Sequence, residues 1–148
     1  MLRDEVEARE AIRYTMSVYN TGGDRGKLDE LSSAFLEDGV LETATFKAQG
    51  RAAIVQALSG GVESRQPSAP GASESFVRHN LTTSSIEMVS DTEAQGWTYF
   101  IVFTEVGPDH MGTYIDTFRK AGERWLISHR RVKIHWDSPL STWHAKGE

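Results

Sequence analysis

Residues 113–132 read TYIDTFRKAGERWLISHRRV, and this stretch decides the fold. It contains two runs rich in β-branched and aromatic residues, separated by the dipeptide Ala121-Gly122. Such runs favour β-strands, and a short connection that contains glycine favours a tight turn. We therefore predict two long antiparallel strands, at about 111–120 and 124–136.

The same pattern extends from this hairpin towards the N-terminus. Two further strand-like runs cover about 76–90 and 94–106, and the turn signals Ser90-Asp91 and Gly107-Pro108-Asp109 follow them. Short connections imply antiparallel neighbours, because parallel strands need a crossover of a dozen or more residues. The C-terminal half is predicted to be one curved antiparallel meander.

The first third of the chain has helical periodicity instead. Apolar residues recur at helical spacing over 4–20, and Thr21-Gly22-Gly23 predicts the end of this amphipathic helix. A second short helix is predicted at 28–35 and a strand at 40–46. A third helix is predicted from Arg51 until Gly60-Gly61 ends it.

Helices followed by an antiparallel sheet define the α+β class. No repeat and no boundary is visible, so residues 1–148 are predicted to form one domain. Residues 61–75, GVESRQPSAPGASES, are predicted to be a polar loop, either a lid or simply a mobile connection.

Composition narrows the possible functions. The chain is 39% hydrophobic and 25% charged with a net charge of −5, which is typical of a soluble globular protein and argues against a nucleic-acid partner. It has neither a long apolar run for a membrane span nor a signal-peptide pattern at the N-terminus. The absence of cysteine excludes disulfides and thiolate metal sites, and we expect a cytoplasmic protein. No nucleotide-binding or metalloprotease motif is present, so we expect no cofactor and no metal.

Alternation along the last strand marks Arg130 as out of place. Its face also carries Leu126, Val132 and Trp136, and this mostly apolar face is expected to pack on the helices. A guanidinium among apolar groups costs roughly several kcal/mol unless it meets acceptors. Arg130 is therefore predicted to have a partner, either a structural carboxylate or a ligand.

His79 lies in the strand-like stretch ESFVRHNLTTSSI, residues 74–86. Its neighbours two positions away, Val77 and Leu81, are apolar, so the imidazole is predicted to point inward. An inward imidazole needs a partner that fixes its tautomer. Asp24, at the joint between the first two helices, is the candidate partner. A carboxylate that orients a neutral imidazole gives a base suited to proton abstraction.

Three stretches carry a resemblance to a known family: GGDRGKLDELSSAFLEDGVLE, VRHNLTTSSIEM and the hairpin TYIDTFRKAGERWLISHRRV. Together with the order of helices and strands, they resemble the SnoaL-like branch of the nuclear transport factor 2-like superfamily. The resemblance implies a cystatin-like fold, a cone-shaped sheet packed on three N-terminal helices. It also implies similarity to scytalone dehydratases and hexachlorocyclohexane dehydrochlorinases, cofactor-free lyases that use an Asp–His dyad in an apolar cone.

The resemblance assigns roles to individual residues of this chain. Asp24 and His79 match the catalytic dyad. Arg130 matches the arginine of the dehydrochlorinases, and Tyr19 and Tyr14 lie near the helix that carries their family's substrate-binding tyrosines. With the aromatic Trp136, which could line an apolar pocket, these are the candidate substrate-binding residues. A second pocket histidine is not evident, because His110 follows a turn signal and is expected to face solvent.

Structural roles are the alternatives for the same residues. An Asp after Gly-Gly is a common helix N-cap, so Asp24 is also a candidate cap of the second helix. His79 is also a candidate core histidine, and Arg130 could pair with Glu42 or Asp116.

The predicted function is a cofactor-independent lyase or isomerase, of dehydratase or dehydrohalogenase type, in which His79 abstracts a proton from a small apolar cyclic substrate. Two alternatives remain open. The first is a non-catalytic association subunit or a small-ligand-binding module of the same fold. The second is an isomerase whose base is a carboxylate, with Asp116 and Glu42 as candidates.

The other face of the last strand carries Trp125, Ile127 and His129 and mixes apolar with basic groups. Relatives form dimers or trimers through the outer sheet face. We therefore predict a homo-oligomer, a dimer or a trimer, and no membrane partner.

Overall fold

The computed structural model describes residues 2–65 and 75–143. This part of the chain forms a sheet with the strand order β2-β1-β6-β5-β4-β3, in which only the β1–β6 pair is parallel. The α+β class is confirmed. In chain order the elements are α1 (Arg3–Asp24), α2 (Leu28–Ser32), β1 (Phe35–Glu42), β2 (Lys47–Gln49), α3 (Arg51–Glu63), β3 (Arg78–Met88), β4 (Glu93–Thr104), β5 (Gly107–Ala121) and β6 (Arg124–Asp137).

The predicted meander is present as β3 to β6, and its strand bounds lie within a few residues of the expected ones. The first strand begins earlier than predicted, because Phe35 belongs to β1 and pairs with Ile127 rather than ending a helix. The backbone N–H of Ile127 donates to Ala34 O at 2.8 Å, which draws this segment onto the sheet. A tertiary contact therefore overrides the local helical pattern.

Both glycine pairs that were predicted to end helices lie inside helices. Helix α1 continues through Gly22 and Gly23 to Asp24, and α3 continues through Gly60-Gly61 to Glu63. A Cβ at Gly22 would lie 2.7 Å from the backbone N of Leu31, so glycine here lets α2 approach α1. The predicted loop 61–75 therefore begins inside α3, and residues 66–74 lie outside the described residues.

A bulge in β6 changes which residues face the core. Consecutive residues of β5 pair with His129 and Ile127, which leaves Ser128 as an extra residue. Ile127 consequently points inward together with Arg130, and both are fully buried. Trp125 is also buried in the core, so the prediction that Trp125 and Ile127 form an outer face is wrong.

The core lies between the inner face of the sheet and α1. Ile12, Met16 and Tyr19 repeat at helical spacing on the buried side of α1, and Phe118 faces them from β5. The Thr15 hydroxyl donates to the carbonyl of Trp125 and ties the helix to β6. None of the helices in the described ranges is long and apolar enough to cross a membrane.

Candidate functional site

The end of α1 and the start of β3 bring Asp24 and His79 together. His79 Nδ1 lies 2.6 Å from Asp24 Oδ1, and the His79 backbone N–H donates to Oδ2 at 3.0 Å. One carboxylate thus holds both the strand and the imidazole ring. Pairing of Nδ1 with a carboxylate favours the Nδ1–H tautomer, which leaves Nε2 to accept a proton.

The carboxylate of Asp24 does not cap the second helix. Asp24 is the last residue of α1, and Lys27 occupies the N-cap position of α2 without a side-chain cap hydrogen bond. The side chains of His79 and Asp24 are 11% and 13% exposed. They are therefore sheltered from bulk water and still accessible from a cavity.

His79 lies in the wall shared by two adjoining chambers. The outer chamber has a cavity volume of about 60 Å³ and the inner chamber one of about 30 Å³. Tyr19 and Leu58 line both chambers as well. The outer walls are mostly apolar side chains of the helical half, among them Leu28, Leu31, Phe46, Ala57 and Val62. The inner walls come mainly from the sheet, among them Leu41, Phe100, Tyr114, Val132 and Ile134.

His110 also lines the inner chamber, so the expectation that it faces solvent is wrong. Strand β5 starts at Gly107, and Asp109 is an extra residue in a bulge opposite Val102 and Phe103. A bulge places two successive side chains on one side of the strand. As a result, both Asp109 and His110 are buried.

Asp109 holds the second imidazole. His110 Nδ1 lies 2.7 Å from Asp109 Oδ2, and Ser141 Oγ donates to the same oxygen at 2.7 Å, while Thr104 Oγ1 donates to Oδ1 at 3.0 Å. Burial opposes ionisation of Asp109, but these hydrogen bonds outweigh it and lower the pKa of the carboxyl group. Burial also lowers the pKa of His110, although the Asp109 carboxylate opposes that shift. The His110 imidazole is therefore neutral at pH 7.

Arg130 lies behind the wall of the inner chamber and does not line it. Its Nε and NH2 groups donate to the two carboxylate oxygens of Asp116, each at 2.8 Å, and both side chains are 0% exposed. Burial alone would lower the pKa of Arg130, but the Asp116 carboxylate raises it. The guanidinium carbon lies 3.9 Å from the ring centre of Tyr114 and 4.4 Å from that of Tyr19. The partner is thus a structural carboxylate, and the guanidinium packs against the rings of the two tyrosines.

The same contacts account for the two carboxylates considered as alternative bases. Asp116 is held by Arg130, and Glu42 Oε2 lies 2.9 Å from His129 Nε2 on the outer side of the sheet. Neither side chain lines the chambers that His79 faces.

Of the aromatic candidates, only Tyr19 lies in the cavity. Tyr14 is 64% exposed, because five positions along a helix turn a side chain by about 140° from that of Tyr19. Trp136 points outward, since His135 is an extra residue between the pairs Met111–Trp136 and Gly112–Ile134.

Two polar residues that line the outer chamber were not predicted from the sequence. Arg65 is buried, and its NH2 group donates to Gly23 O at 2.9 Å at the end of α1. Asn20 is buried as well, and its Nδ2 donates to the Tyr114 hydroxyl at 3.1 Å. The position of Asn20, one helical turn before Asp24, was a readable signal. Arg65 lies in a polar stretch of sequence that gave no signal of a role in the chamber.

Within residues 2–65 and 75–143, no three acidic or histidine side chains converge in a way that could hold a metal ion.

Known structures share this fold over most of the chain. A candidate scytalone dehydratase of Novosphingobium aromaticivorans is 24% identical with a TM-score of 0.77, and the match covers 93% of this chain and 91% of that one. The hexachlorocyclohexane dehydrochlorinase LinA-type3 of Novosphingobium barchaimii is 17% identical with a TM-score of 0.76, over 93% and 92% of the two chains. A protein of unknown function with a cystatin-like fold from Nostoc punctiforme is 18% identical with a TM-score of 0.74, over 89% and 94%.

At these identities the structural neighbours show the fold alone. A search of curated proteins found no match. The SnoaL-like domain, in contrast, matches residues 4–131, which is most of the sequence. Together with the cone-shaped sheet and the three N-terminal helices, this match shows that the chain belongs to the SnoaL-like domain family of the nuclear transport factor 2-like superfamily.

Proposed function

We propose that this protein is a cofactor-independent lyase or isomerase that removes a proton from a carbon atom of a small, largely apolar, cyclic substrate. The observation that carries the proposal is the Asp24–His79 pair, 2.6 Å apart, in the wall shared by the two chambers. The fold neighbours named as a candidate dehydratase and a dehydrochlorinase support a reaction of elimination type.

In the proposed reaction, Nε2 of His79 takes the proton from carbon. The electron pair of the broken C–H bond forms the new double bond as the leaving group departs. Asp24 holds Nδ1–H and stabilises the imidazolium that forms. A halide leaves without a proton, whereas a departing hydroxide takes the proton back from the imidazolium. A positioned general base of this kind contributes roughly 10²–10⁴ in rate, or about 3–5 kcal/mol of the barrier.

His110 has a different role in this scheme. Its buried imidazole donates through Nδ1 to Asp109, which holds the ring in the wall of the inner chamber. Arg130 acts indirectly, because it fixes the rings of Tyr19 and Tyr114 against the cavity.

The alternatives have less support. A non-catalytic subunit or simple binding module does not require a carboxylate-oriented imidazole at an open cavity. A carboxylate-based isomerase requires an acid in the cavity, but Asp116 is paired with Arg130 and Glu42 lies beside His129.

The proposal is tested by replacing the base and following two reactions. One substrate is hexachlorocyclohexane, whose turnover is measured by chloride release. The other is a cyclic β-hydroxyketone, whose turnover is measured by the absorbance of the enone product. Exchange of carbon-bound protons in D₂O is followed by NMR. We expect His79→Gln to lower the rate about 100-fold or more, and Asp24→Asn to lower it by a smaller factor.

The matched control is His129→Gln, which removes an imidazole from another His–carboxylate pair, on the outer side of the sheet. It should keep the wild-type rate. Turnover or exchange that survives in a folded His79→Gln variant at the wild-type rate would contradict the proposed mechanism.

A further inference from the structure

The outer chamber contains a polar side chain that the proposed reaction does not use. Asn20 is 6% exposed and lines this chamber beside His79. Its Nδ2 donates to Tyr114 Oη, but its Oδ1 is buried without a hydrogen-bond donor among the described residues. A buried carbonyl oxygen without a donor is unfavourable, and native proteins retain few of them.

The tyrosine that contacts this amide is held firmly in place. The Tyr114 ring stacks on Phe100 with 4.4 Å between ring centres, and the Arg130 guanidinium covers its other side at 3.9 Å. The hydroxyl that receives Nδ2 therefore cannot move far. With Nδ2 engaged there, Oδ1 is the atom of the amide that has no hydrogen-bond partner among the described residues.

We propose that Asn20 is a specificity-determining residue that selects ligands carrying a hydrogen-bond donor, such as a ring hydroxyl. This inference rests on the cavity assigned in the proposed function, and it narrows the substrate class from any apolar ring to a hydroxylated ring. The donor of the ligand would complete the hydrogen bonding of Oδ1, whereas a methyl group or halogen in the same place would leave the oxygen unpaired.

Asn20 also lies close to the Asp24–His79 pair along α1. Asn20 precedes Asp24 by four residues on the same face of α1, so their Cα atoms are about 6 Å apart along the helix. Asp24 holds the imidazole of His79. Asn20 therefore lies about one helical turn from the carboxylate that orients the base, and both Asn20 and His79 line the outer chamber.

The inference is tested by ligand binding, without turnover. The probes share a methyl-substituted benzene ring and differ in the group opposite the methyl. That group is a hydroxyl donor in p-cresol, an apolar methyl in p-xylene and an aldehyde, which only accepts hydrogen bonds, in p-tolualdehyde. Dissociation constants are measured by ligand-observed NMR in the wild type and in a His79→Gln background. We expect p-cresol to bind roughly tenfold more tightly than p-xylene in both, and p-tolualdehyde to gain no such preference.

Two substitutions separate recognition from a structural role. Asn20→Leu keeps the volume and removes the acceptor, so the preference for p-cresol should disappear while p-xylene binds as before. Asn20→Asp keeps the acceptor, so the preference should persist or increase even if the leucine variant fails to fold.

Equal binding of p-cresol and p-xylene to the wild type, a preference for p-tolualdehyde, or loss of the preference in Asn20→Asp would each overturn the inference. Because no outcome depends on catalysis, an inactive enzyme with the expected preference would contradict the proposed function alone.

Discussion

The burial of His110 predicts a specific pH dependence of stability. Its pKa is lowered on folding, so the unfolded chain binds a proton near pH 6.5 that the folded chain does not. Stability should therefore fall as pH is lowered from 7.5 through 6.5, by at most about 1.4 kcal/mol per pH unit from this residue. The charged or titratable groups that influence the ring are Asp109, His79 and Asp137.

The measurement is the free energy of unfolding from urea titrations between pH 7.5 and 5.5. His110→Gln should show a shallower decrease over this interval than the wild type, because glutamine does not titrate. The neighbouring Asp109 has a lowered pKa, so its own contribution is lost only at more acidic pH and does not interfere. Identical slopes in the two proteins would contradict the burial argument.

At the scale of single residues, side-chain positions were predictable wherever strand alternation was unbroken. His79 points inward as its apolar neighbours Val77 and Leu81 predict, and it meets Asp24.

The predictions for His110 and Trp136 failed, because single-residue bulges at Asp109 and His135 change the parity of the strand. A bulge is set by the pairing partner and has no reliable signal in one sequence. The need of Arg130 for a partner was predicted, but which of two carboxylates pairs with it depended on this register.

At the scale of elements, the order and type of most helices and strands followed from periodicity, and the helix ends did not. Gly22-Gly23 and Gly60-Gly61 were interpreted as stops, yet both lie inside helices. Glycine costs about 1 kcal/mol relative to alanine within a helix, which packing elsewhere can outweigh. The extension of α1 through its glycines matters for the site, because it places Asn20 and Asp24 on one continuous helical face.

The two glycine pairs predict opposite effects of the same substitution. In Gly22→Ala the new Cβ would lie 2.7 Å from the backbone N of Leu31, so α2 must shift, and we expect destabilisation by about 1–3 kcal/mol. In Gly61→Ala the new Cβ meets nothing within 4 Å among the described atoms, so the better helix propensity of alanine should stabilise the protein by up to about 1 kcal/mol. Thermal and urea unfolding measure both, and a Gly22→Ala protein at least as stable as the wild type would contradict the close contact of α1 and α2.

At the scale of the whole molecule, the apolar surface lies on the opposite side of the sheet from the cavity. The outer aromatic face consists of Trp97, Tyr99, Phe103, Met111 and Trp136, each at least 38% exposed. Adjacent strands carry these residues, since β4 pairs with β5 and Met111 pairs with Trp136. The homo-oligomer predicted from the sequence stays a prediction, but the face that would form it is this one rather than the buried Trp125 and Ile127. Exposed apolar patches of this kind mark interaction surfaces.

We therefore expect a dimer or trimer of the 16.5 kDa chain in light scattering coupled to size exclusion. Trp97→Lys should lower the mass towards that of the monomer, because a lysine ammonium cannot be buried unpaired at an apolar interface. The control is Tyr14→Lys, which changes an exposed aromatic residue on α1 and should leave the mass unchanged. His79 and both chambers lie on the helical side of the sheet, so a monomeric Trp97→Lys protein should still bind p-cresol in preference to p-xylene. A wild-type protein that runs as a monomer would contradict the prediction that the outer aromatic face forms an oligomer interface. Loss of the ligand preference in monomeric Trp97→Lys would show that the cavity needs the neighbouring subunit.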